Sequence, residues 1–598
     1  MILQSLNQLY DRLAEDASYG IAPAGYSAQK IAFVVVLHPD GRLYGIDDVR
    51  EEKGKRRISR QMLVPGQAKP SGSGINPCFL WDNSAYLLGH VGPKKSNESD
   101  EAFEKRRLRT EKSFDGFRAK HLDLESQIDD PGYMALCRFL KCWNPDRCRE
   151  FGLLDELDSG FGVFQLIGET RYLHQHAKLE AWWKRQTDEP AQKTAASLCL
   201  VTGERAIPAR THEPKLKGVA GAQSSGAALV SFNCDAFKSY GKDQSLNAPV
   251  SEQAAFRYCT ALNGLLSGPS SDKHRISVGD TTVVFWTEKA TVTEQWLADF
   301  LSGNIEAEAQ DETAREQTKA LLQALRSGGG ELKVVGDDPA TPVQILGLAP
   351  NAARLAPRFW HTGSLGDLFD KLKAHHDALR VVPQHGAGSK RPDPEFPPIW
   401  MLLRETARES KDISPLLGGA LMRAILEGTA YPDSLASAVI RRIRADRTIN
   451  YMRAAILKAW LLRKPHQKGD ISVSLDTDNL DPAYRLGRLF AVLESAQYAA
   501  LGNVGAGIRD RFYSSASATP AIVFPRLLRT YQHHLGKMTQ GATIAFEKRA
   551  QDIISGIDAM PSHLNLEAQA RFALGYYHQR QALFDGAKKP ESVPEKKE

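Results

Sequence analysis

Apolar residues recur at helical spacing at the start of the chain and then give way to a strand-like run. The first pattern predicts an amphipathic helix that packs against a core. Residues 30–37 (KIAFVVVL) are rich in β-branched side chains and predict a buried strand, and the turn sequence HPDG leads into a second strand at 42–46. The apolar positions of the first helix are Ile2, Leu6, Leu9, Tyr10 and Leu13.

Strand-like patterns continue in patches up to about residue 350. Apolar and β-branched residues cluster in short runs bounded by turn residues, which predicts further strands. The charged stretches between these runs predict helices. The predicted strands are 197–204, 227–233, 281–286 and 343–348, and the predicted helices include 93–125 and 303–325.

A Gly- and Pro-rich segment at 384–398 predicts a linker, beyond which the strand patterns almost vanish. Helical periodicity then dominates, in the segments 399–427, 433–445, 450–463, 481–500, 520–536 and 540–584. We therefore expect an α+β protein with a mixed α/β region at 1–390, a candidate internal division near 127–195, and a helical bundle at 399–598. The tail at 587–598 is expected to be disordered.

Composition excludes little on its own. The chain has 598 residues, with 77 basic and 71 acidic side chains, and a net charge of +6 does not by itself indicate a nucleic-acid partner. The seven cysteines show no disulfide-framework spacing, which favours a reducing compartment. No run approaches the length of about 20 apolar residues that crosses a bilayer, so we expect a soluble, cytoplasmic protein without a membrane partner.

Motifs of common enzymes and cofactor sites are missing, and we expect no cofactor, no metal and no catalytic residue. Cys137, Cys142 and Cys148 lack the spacing of a zinc knuckle. One enzymatic alternative stays open, a metal-dependent nuclease using Asp476, Asp478 or an unrecognised cluster of residues distant in sequence, although helix capping and turn formation also explain the two aspartates.

Two loops of small residues are candidate DNA contacts, because glycine lets a ligand approach the backbone and amide side chains can read base edges. The first loop lies at 71–74 after a basic stretch, and the second at 221–226. Candidate base-reading residues are Ser71, Ser73, Asn76, Asn83, Gln223, Ser224 and Asn233. Candidate phosphate contacts are Lys53, Lys55, Arg56, Arg57, Arg60, Lys69, Lys215, Lys217, Tyr240 and Lys242.

Basic residues also crowd two neighbouring predicted helices, with a single acidic residue, Asp446, among them. Such a stripe can follow a phosphate backbone without reading sequence, or it can contact another subunit. Its members are Arg441, Arg442, Arg444, Arg447, Arg453, Lys458 and Arg463.

Several long segments together resemble the large subunit of the type I-C CRISPR Cascade complex, the Csd-type family. They include MILQSLNQLYDRLAED at the start, GINPCFLWDNSAYLLG at 74–89, GAQSSGAALVSFNCDAFKSYGKDQSLNAPVSE at 221–252, ILGLAPNAARLAPRFW at 345–360 and RRIRADRTINYMRAAILKAWLLR at 441–463. The matches run in order over nearly the whole chain.

The resemblance implies a non-catalytic subunit that recognises the protospacer-adjacent motif in duplex DNA and promotes duplex opening and R-loop formation. It implies a set of partners, namely double-stranded target DNA, the CRISPR RNA of the complex, the Cascade backbone and small subunits, and a recruited helicase–nuclease. The C-terminal helical part resembles the small subunit. A structural scaffold that does not touch DNA is the remaining alternative.

Overall fold

The computed structural model describes residues 1–53, 56–66, 74–157, 160–188, 196–303, 312–386 and 388–585, so the predicted tail lies outside the described residues. Contacts divide the chain into two compact units. The first comprises Met1–Ser271 with Asn351–Leu355, and the second comprises Asp272–Pro350 with Ala356–Glu598. The boundary expected near 390–399 falls inside the second unit.

The first unit is built on a mixed sheet. Its helices are α1 (Ile2–Glu15), α2 (Ser84–Leu87), α3 (Asp100–Asp123), α4 (Pro131–Cys142), α5 (Leu153–Glu156), α6 (Ala177–Asp188) and α7 (Glu252–Ser267). Its strands are β1 (Tyr26–Leu37), β2 (Leu43–Asp48), β3 (Glu51–Lys53), β4 (Arg56–Ile58), β5 (Arg60–Pro65), β6 (Trp81–Asn83), β7 (Phe161–Leu166), β8 (Ser197–Leu198) and β9 (Arg205–Ala206).

Strand β1 is the centre of this sheet, as its apolar run predicts. It pairs antiparallel with β2 and β5 and parallel with β7, and β7 pairs antiparallel with β6. Both faces of its second half are buried, because Val35 and Leu37 pack into one apolar cluster and Val34 and Val36 into another. A strand covered on both faces reads as a continuous hydrophobic run.

The second unit begins with an antiparallel sheet and continues as helices. The strands, paired in chain order, are β10 (Arg275–Val278), β11 (Thr281–Thr287), β12 (Pro342–Asn351) and β13 (Arg354–Ser364). The helices are α8 (Val292–Ser302), α9 (Glu312–Ser327), α10 (Leu365–Leu379), α11 (Ile399–Arg404), α12 (Pro415–Glu427), α13 (Asp433–Asp446), α14 (Tyr451–Leu462), α15 (Pro482–Leu501), α16 (Ile508–Ala516), α17 (Pro520–Leu535), α18 (Gln540–Ile554) and α19 (Leu566–Asp585).

Two glycines allow α15 and α19 to pack closely in the middle of the bundle. A Cβ on Gly487 would lie 2.0 Å from the carbonyl oxygen of Phe572, and a Cβ on Gly575 would lie 2.0 Å from that of Tyr484. These contacts are too short for any side chain, so the backbones of the two helices touch.

The predicted α+β class is confirmed, with mixed sheets early in the chain and helices in its C-terminal part. The strand predicted at 227–233 is wrong, because Ala227 and Ala228 form only isolated bridges to Leu216 and Arg354 and no ladder extends from them. In the described part of the chain, no helix is both long enough and apolar enough to cross a membrane.

Candidate nucleic-acid interface

Part of the first predicted contact region lies outside the described residues. The residues outside are Lys55, Lys69, Ser71 and Ser73. For Lys53 and Arg56 the backbone is described and the side chain is not. Their roles stay predictions.

The described arginines of this region already have acidic partners. Arg57 lies 2.9 Å from Asp48, and Arg60 lies 3.7 Å from Glu51. A side-chain hydrogen bond from Arg50, with help from Arg57, lowers the pKa of Asp48 to about 2. Both Arg57 and Arg60 are more than half exposed, so a phosphate could reach them, but it would compete with a carboxylate for each guanidinium.

The two predicted asparagines are joined through Tyr86. The side-chain oxygen of Asn83 caps α2 and accepts hydrogen bonds from the backbone nitrogens of Ala85 at 3.1 Å and Tyr86 at 3.3 Å. The Tyr86 hydroxyl in turn accepts a bond from the backbone nitrogen of Asn76 at 3.4 Å. The side chain of Asn76 is exposed, whereas the carbonyl oxygen of Asn83 is already used, so Asn76 is the better placed of the two to meet a base.

The second small-residue loop is closed at its base. Leu216 and Ala227 exchange two backbone hydrogen bonds of 2.8 Å. Gly226, at φ +99°, stands where a Cβ would lie 2.6 Å from the Cβ of Lys215, so only glycine fits this close crossing. The loop presents three of the predicted contact residues on its exposed surface, namely Lys217, Gln223 and Ser224.

The lysines at this loop differ in their surroundings. Lys215 is paired with Glu213 at 3.0 Å. Lys217 is exposed, and its backbone nitrogen donates to the side chain of Asn263 at 2.9 Å. Asn263 also donates to the Lys215 carbonyl at 3.0 Å, which fixes the backbone of both lysines. Lys217 is therefore the more available cation.

Tyr240 is the most exposed large hydrophobic side chain among the described residues of the first unit, and hydrogen bonds hold the turn that carries it. It is 97% exposed, at the tip of a tight turn closed by a 2.9 Å bond from Lys242 N to Ser239 O. Tyr240 and Gly241 both have positive φ, +50° and +67°, as in the turns that favour Asn and Gly. The side chain of Asn247 holds both ends, accepting from Ser239 N at 2.9 Å and donating to Lys242 O at 3.0 Å.

Asn233 is partly used inside the protein. The guanidinium of Arg354 donates to its side-chain oxygen and stacks on the ring of Phe237 at 4.4 Å. Asn233 also lines a groove of about 690 Å³ that has charged walls of both signs, formed by Arg210, Asp235, Lys238, Asp243 and Glu252. Only the amide nitrogen of Asn233 remains for a base edge.

Two members of the predicted arginine stripe are interior residues. Lys458 is 1% exposed and donates to the carbonyl of Ala378 at 3.2 Å, and burial lowers its pKa. Arg453 is 7% exposed and donates to Glu405 at 2.7 Å and to Asp446 at 2.6 Å. Their donors hold the bundle together, and we exclude both residues from the candidate interface.

Two further arginines of the predicted stripe already make contacts within the chain. Arg463 donates to the carbonyl of Ala424 at 3.2 Å and stacks on Tyr431 at 4.6 Å. Arg442 is ion-paired with Asp446. The remaining three, which have no ion-pair partner among the described residues, are Arg441, Arg444 and Arg447.

The structure brings further arginines near the exposed members of the predicted stripe. The end of α13 meets α16, where Ser514 Oγ donates to the Arg444 carbonyl at 3.3 Å. Helix α16 meets α17, where the Arg526 guanidinium lies 5.4 Å from the centre of the Phe512 ring. Helices α16 and α17 carry three further exposed arginines, and we use the name basic surface for the set Arg441, Arg444, Arg447, Arg511, Arg526 and Arg529. Sequence reasoning missed the last three, although residues 511–546 contain no acidic side chain, a signal that could have revealed them.

The carboxylates of the enzymatic alternative serve turns and a helix cap. Asp481 caps α15 by accepting from the backbone nitrogen of Tyr484 at 3.0 Å. Asp476 accepts from the backbone nitrogen of Asp478 at 3.1 Å. Within the described residues, no three His, Cys, Asp or Glu side chains converge as a metal site would require.

A family model described as CRISPR-associated protein (Cas_Csd1) matches residues 6–584 of the chain. No curated protein sequence matches it.

Proposed function

This chain belongs to the Cas_Csd1 family of CRISPR-associated proteins, and on that premise we propose that it is the non-catalytic large subunit of a type I-C Cascade complex. In this role it recognises the protospacer-adjacent motif in duplex DNA and promotes opening of the duplex. Pairing between guide RNA and target strand then reads the sequence, as in other RNA-guided effectors. A recruited helicase–nuclease cuts the DNA, and the chain itself breaks no bond.

The Tyr240 turn is the observation that carries the proposal. An aromatic side chain on a left-handed backbone is strained by roughly 1 kcal/mol or more, and it buries nothing within the chain. Strain of this kind is retained where a ligand uses the conformation. We propose that the Tyr240 ring stacks on a base beside the motif as the strands separate, while Lys242 meets the adjacent phosphate.

The loop at 217–226 and Asn76 supply the polar side of this contact. Gln223 and Asn76 are exposed amides of the kind that pair with base edges, and Lys217 is an available cation. We propose that these groups discriminate the motif, since Tyr240 can stack on any base.

The basic surface of the second unit has a separate role. A track of guanidinium groups without carboxylate partners binds a phosphate backbone regardless of sequence. We propose that it holds the displaced DNA strand, so that re-annealing of the duplex no longer competes with the RNA–DNA pairing.

The test measures binding and opening by the assembled, RNA-loaded complex. Duplexes that differ only in the flanking motif, with 2-aminopurine beside it, report affinity and unstacking together. We expect Tyr240→Ala to abolish most of the unstacking signal and to weaken binding by about 2 kcal/mol, the typical value of one stacked base. Tyr44→Ala is the matched control, because Tyr44 is also an exposed tyrosine of the first unit.

Two outcomes would redirect the proposal. If the complex without this chain still distinguishes the motif, the chain is a scaffold. If the purified chain cleaves labelled DNA with Mg²⁺ or Mn²⁺, and Asp476→Ala abolishes the cleavage, the enzymatic alternative is correct.

A further inference from the structure

A small cavity lies in the first unit between the start of β1 and α7. Its walls include Tyr26, Ser27 and Gln29 of β1 and Phe256 and Thr260 of α7. Its volume is about 120 Å³. An engineered protein cavity of about 150 Å³ binds benzene, so this cavity has room for one six-membered ring and not for a fused pair of rings.

The polar groups that line the cavity favour a ligand with hydrogen-bonding atoms. Thr260 is 7% exposed, and its hydroxyl oxygen is buried without a hydrogen-bond partner among the described residues. A threonine inside a helix commonly returns its hydroxyl to the carbonyl four residues earlier, and Thr260 does not. A buried hydroxyl without a partner is unfavourable, so a bound group that pairs with it gains affinity.

The strand side of the cavity adds complementary groups. Gln29 is buried, and its side-chain nitrogen donates to Ser27 Oγ at 3.2 Å. No described residue donates to the side-chain carbonyl of Gln29, and Gln29 lines the same cavity as Thr260. On the helix side, the apolar residue Phe256 also lines the cavity.

The mouth of the cavity is basic. Lys215 and Lys217 both line it, and the backbone of each is fixed by the side chain of Asn263. Glu213 neutralises Lys215, but Lys217 is exposed and has no ion-pair partner among the described residues. An exposed ammonium carried on a fixed backbone beside a ring-sized polar cavity matches a phosphate attached to a heterocycle.

We propose that this cavity binds the pyrimidine ring of a single nucleotide turned out of its strand, with the nucleotide phosphate at Lys217. The ring edge pairs with the Thr260 hydroxyl and the Gln29 carbonyl, which a pyrimidine can satisfy because it carries both donors and acceptors. The inference rests on the proposed function only in that the chain binds nucleic acid, since neither the motif nor duplex opening enters it. The nucleotide belongs to the RNA or to the DNA.

The first experiment uses the full-length chain alone and saturation-transfer NMR with nucleoside monophosphates. We expect UMP, CMP and dTMP to bind and to compete with one another, and AMP and GMP to bind at least about tenfold more weakly because the cavity is too small for a purine. Equal binding of purines and pyrimidines, or equal competition by inorganic phosphate alone, overturns the proposal. Because no guide, duplex or motif is present, failure here leaves the proposed motif reading untouched.

Variants separate the ring contact from the phosphate contact. Thr260→Val removes the hydroxyl and keeps the shape, and we expect pyrimidine affinity to fall about threefold to tenfold, the effect of one hydrogen bond. Lys217→Gln should weaken the binding of UMP and leave the binding of uridine unchanged, because uridine has no phosphate. The control is Thr530→Val, because the Thr530 hydroxyl is already bonded to the Arg526 carbonyl at 3.0 Å. Unchanged UMP binding by a folded Thr260→Val variant contradicts the proposal.

Photo-crosslinking in the assembled complex then identifies the source of the nucleotide. One arm carries 4-thiouridine in the RNA and the other carries 4-thiothymidine in the DNA. An adduct in the segments 19–29 or 256–268 from either arm supports the proposal and names the strand. The absence of adducts in these segments from both arms, with thionucleotides at every pyrimidine position, contradicts it.

Discussion

Arg453 donates a hydrogen bond of 2.6 Å to Asp446, across the turn between α13 and α14. The same guanidinium donates to Glu405 at 2.7 Å and to the carbonyl of Thr448 at 2.8 Å. The Arg453 side chain of helix α14 thus hydrogen-bonds to the end of α13, to the turn after it and to Glu405 beyond α11. In sequence it looks the same as Arg441, which lies exposed on α13.

The first prediction contrasts these two residues. Arg453→Met leaves the carboxylates of Glu405 and Asp446 without their common partner and should lower the free energy of unfolding of the second unit by about 3 kcal/mol. Arg441→Gln should change that free energy by less than about 0.5 kcal/mol. Urea unfolding followed by tryptophan fluorescence measures both. Equal stability of the two variants would show that the Arg453 contacts contribute little.

The second prediction concerns the basic surface. Arg511→Gln, Arg526→Gln and Arg529→Gln should each reduce the slope of log affinity for single-stranded DNA against log salt by about 0.7, the value for one phosphate of a single strand. Arg408→Gln is the control, because Arg408 is an exposed arginine of the same unit outside the basic surface. Titrations at several salt concentrations measure the slope. If the control has the same effect, the surface is not a specific track.

Sequence patterns predicted the elements whose burial follows a simple period. Strand β11, with its run TTVVFW, is buried at every position and was predicted within one residue. Helix α16 was not predicted, because its buried residues Ile508, Tyr513 and Ala516 are too few and too widely spaced to form a stripe. Strand β13 was also missed, since it contains a proline and charged residues that pattern reasoning assigns to loops.

The candidate site was predictable only in part, because sequence does not show which face of a helix is buried. Helix α14 is covered on nearly all sides, so Lys458 points into the bundle even though its neighbours in sequence form a basic cluster. Charge density therefore located the region but included interior residues. The support of Tyr240 by Asn247 depends on a contact across a loop, for which sequence carries no period.

The third prediction tests that support. Asn247→Ala removes both side-chain bonds to the ends of the turn and should reduce duplex unstacking nearly as much as Tyr240→Ala, although Asn247 itself lies below the tip. Tyr240→Gly should relieve the backbone strain, which is partly offset by the greater entropy of the unfolded chain, and so raise stability by at most about 1 kcal/mol while it also abolishes unstacking. Thermal unfolding and 2-aminopurine fluorescence measure the two effects. If Asn247→Ala still unstacks the duplex fully, the Asn247 hydrogen bonds are not required to hold the turn in its active conformation.

The fourth prediction follows from buried histidines. Burial lowers the pKa of four of them from the ordinary 6.5 to about 4, namely His174, His212, His376 and His578. Between pH 6.5 and pH 4 the unfolded chain binds protons that the folded chain does not, so stability is full above pH 6.5 and falls as the pH drops towards 4. The raised pKa of His176, which bonds to Asp130, acts in the opposite direction.

One variant isolates a single contribution to this acid sensitivity. His376 is surrounded by the rings of Phe300 and Phe396, so His376→Phe should fit, and it should reduce the loss of stability between pH 7.5 and pH 5 by on the order of 1 kcal/mol. His533→Gln is the control, because His533 is an exposed histidine on α17. Thermal unfolding midpoints at the two pH values measure the difference. If His376→Phe loses as much stability on acidification as the native chain, proton uptake by His376 is not among the causes, and the acid sensitivity lies with the other buried histidines, which include His121 and His375.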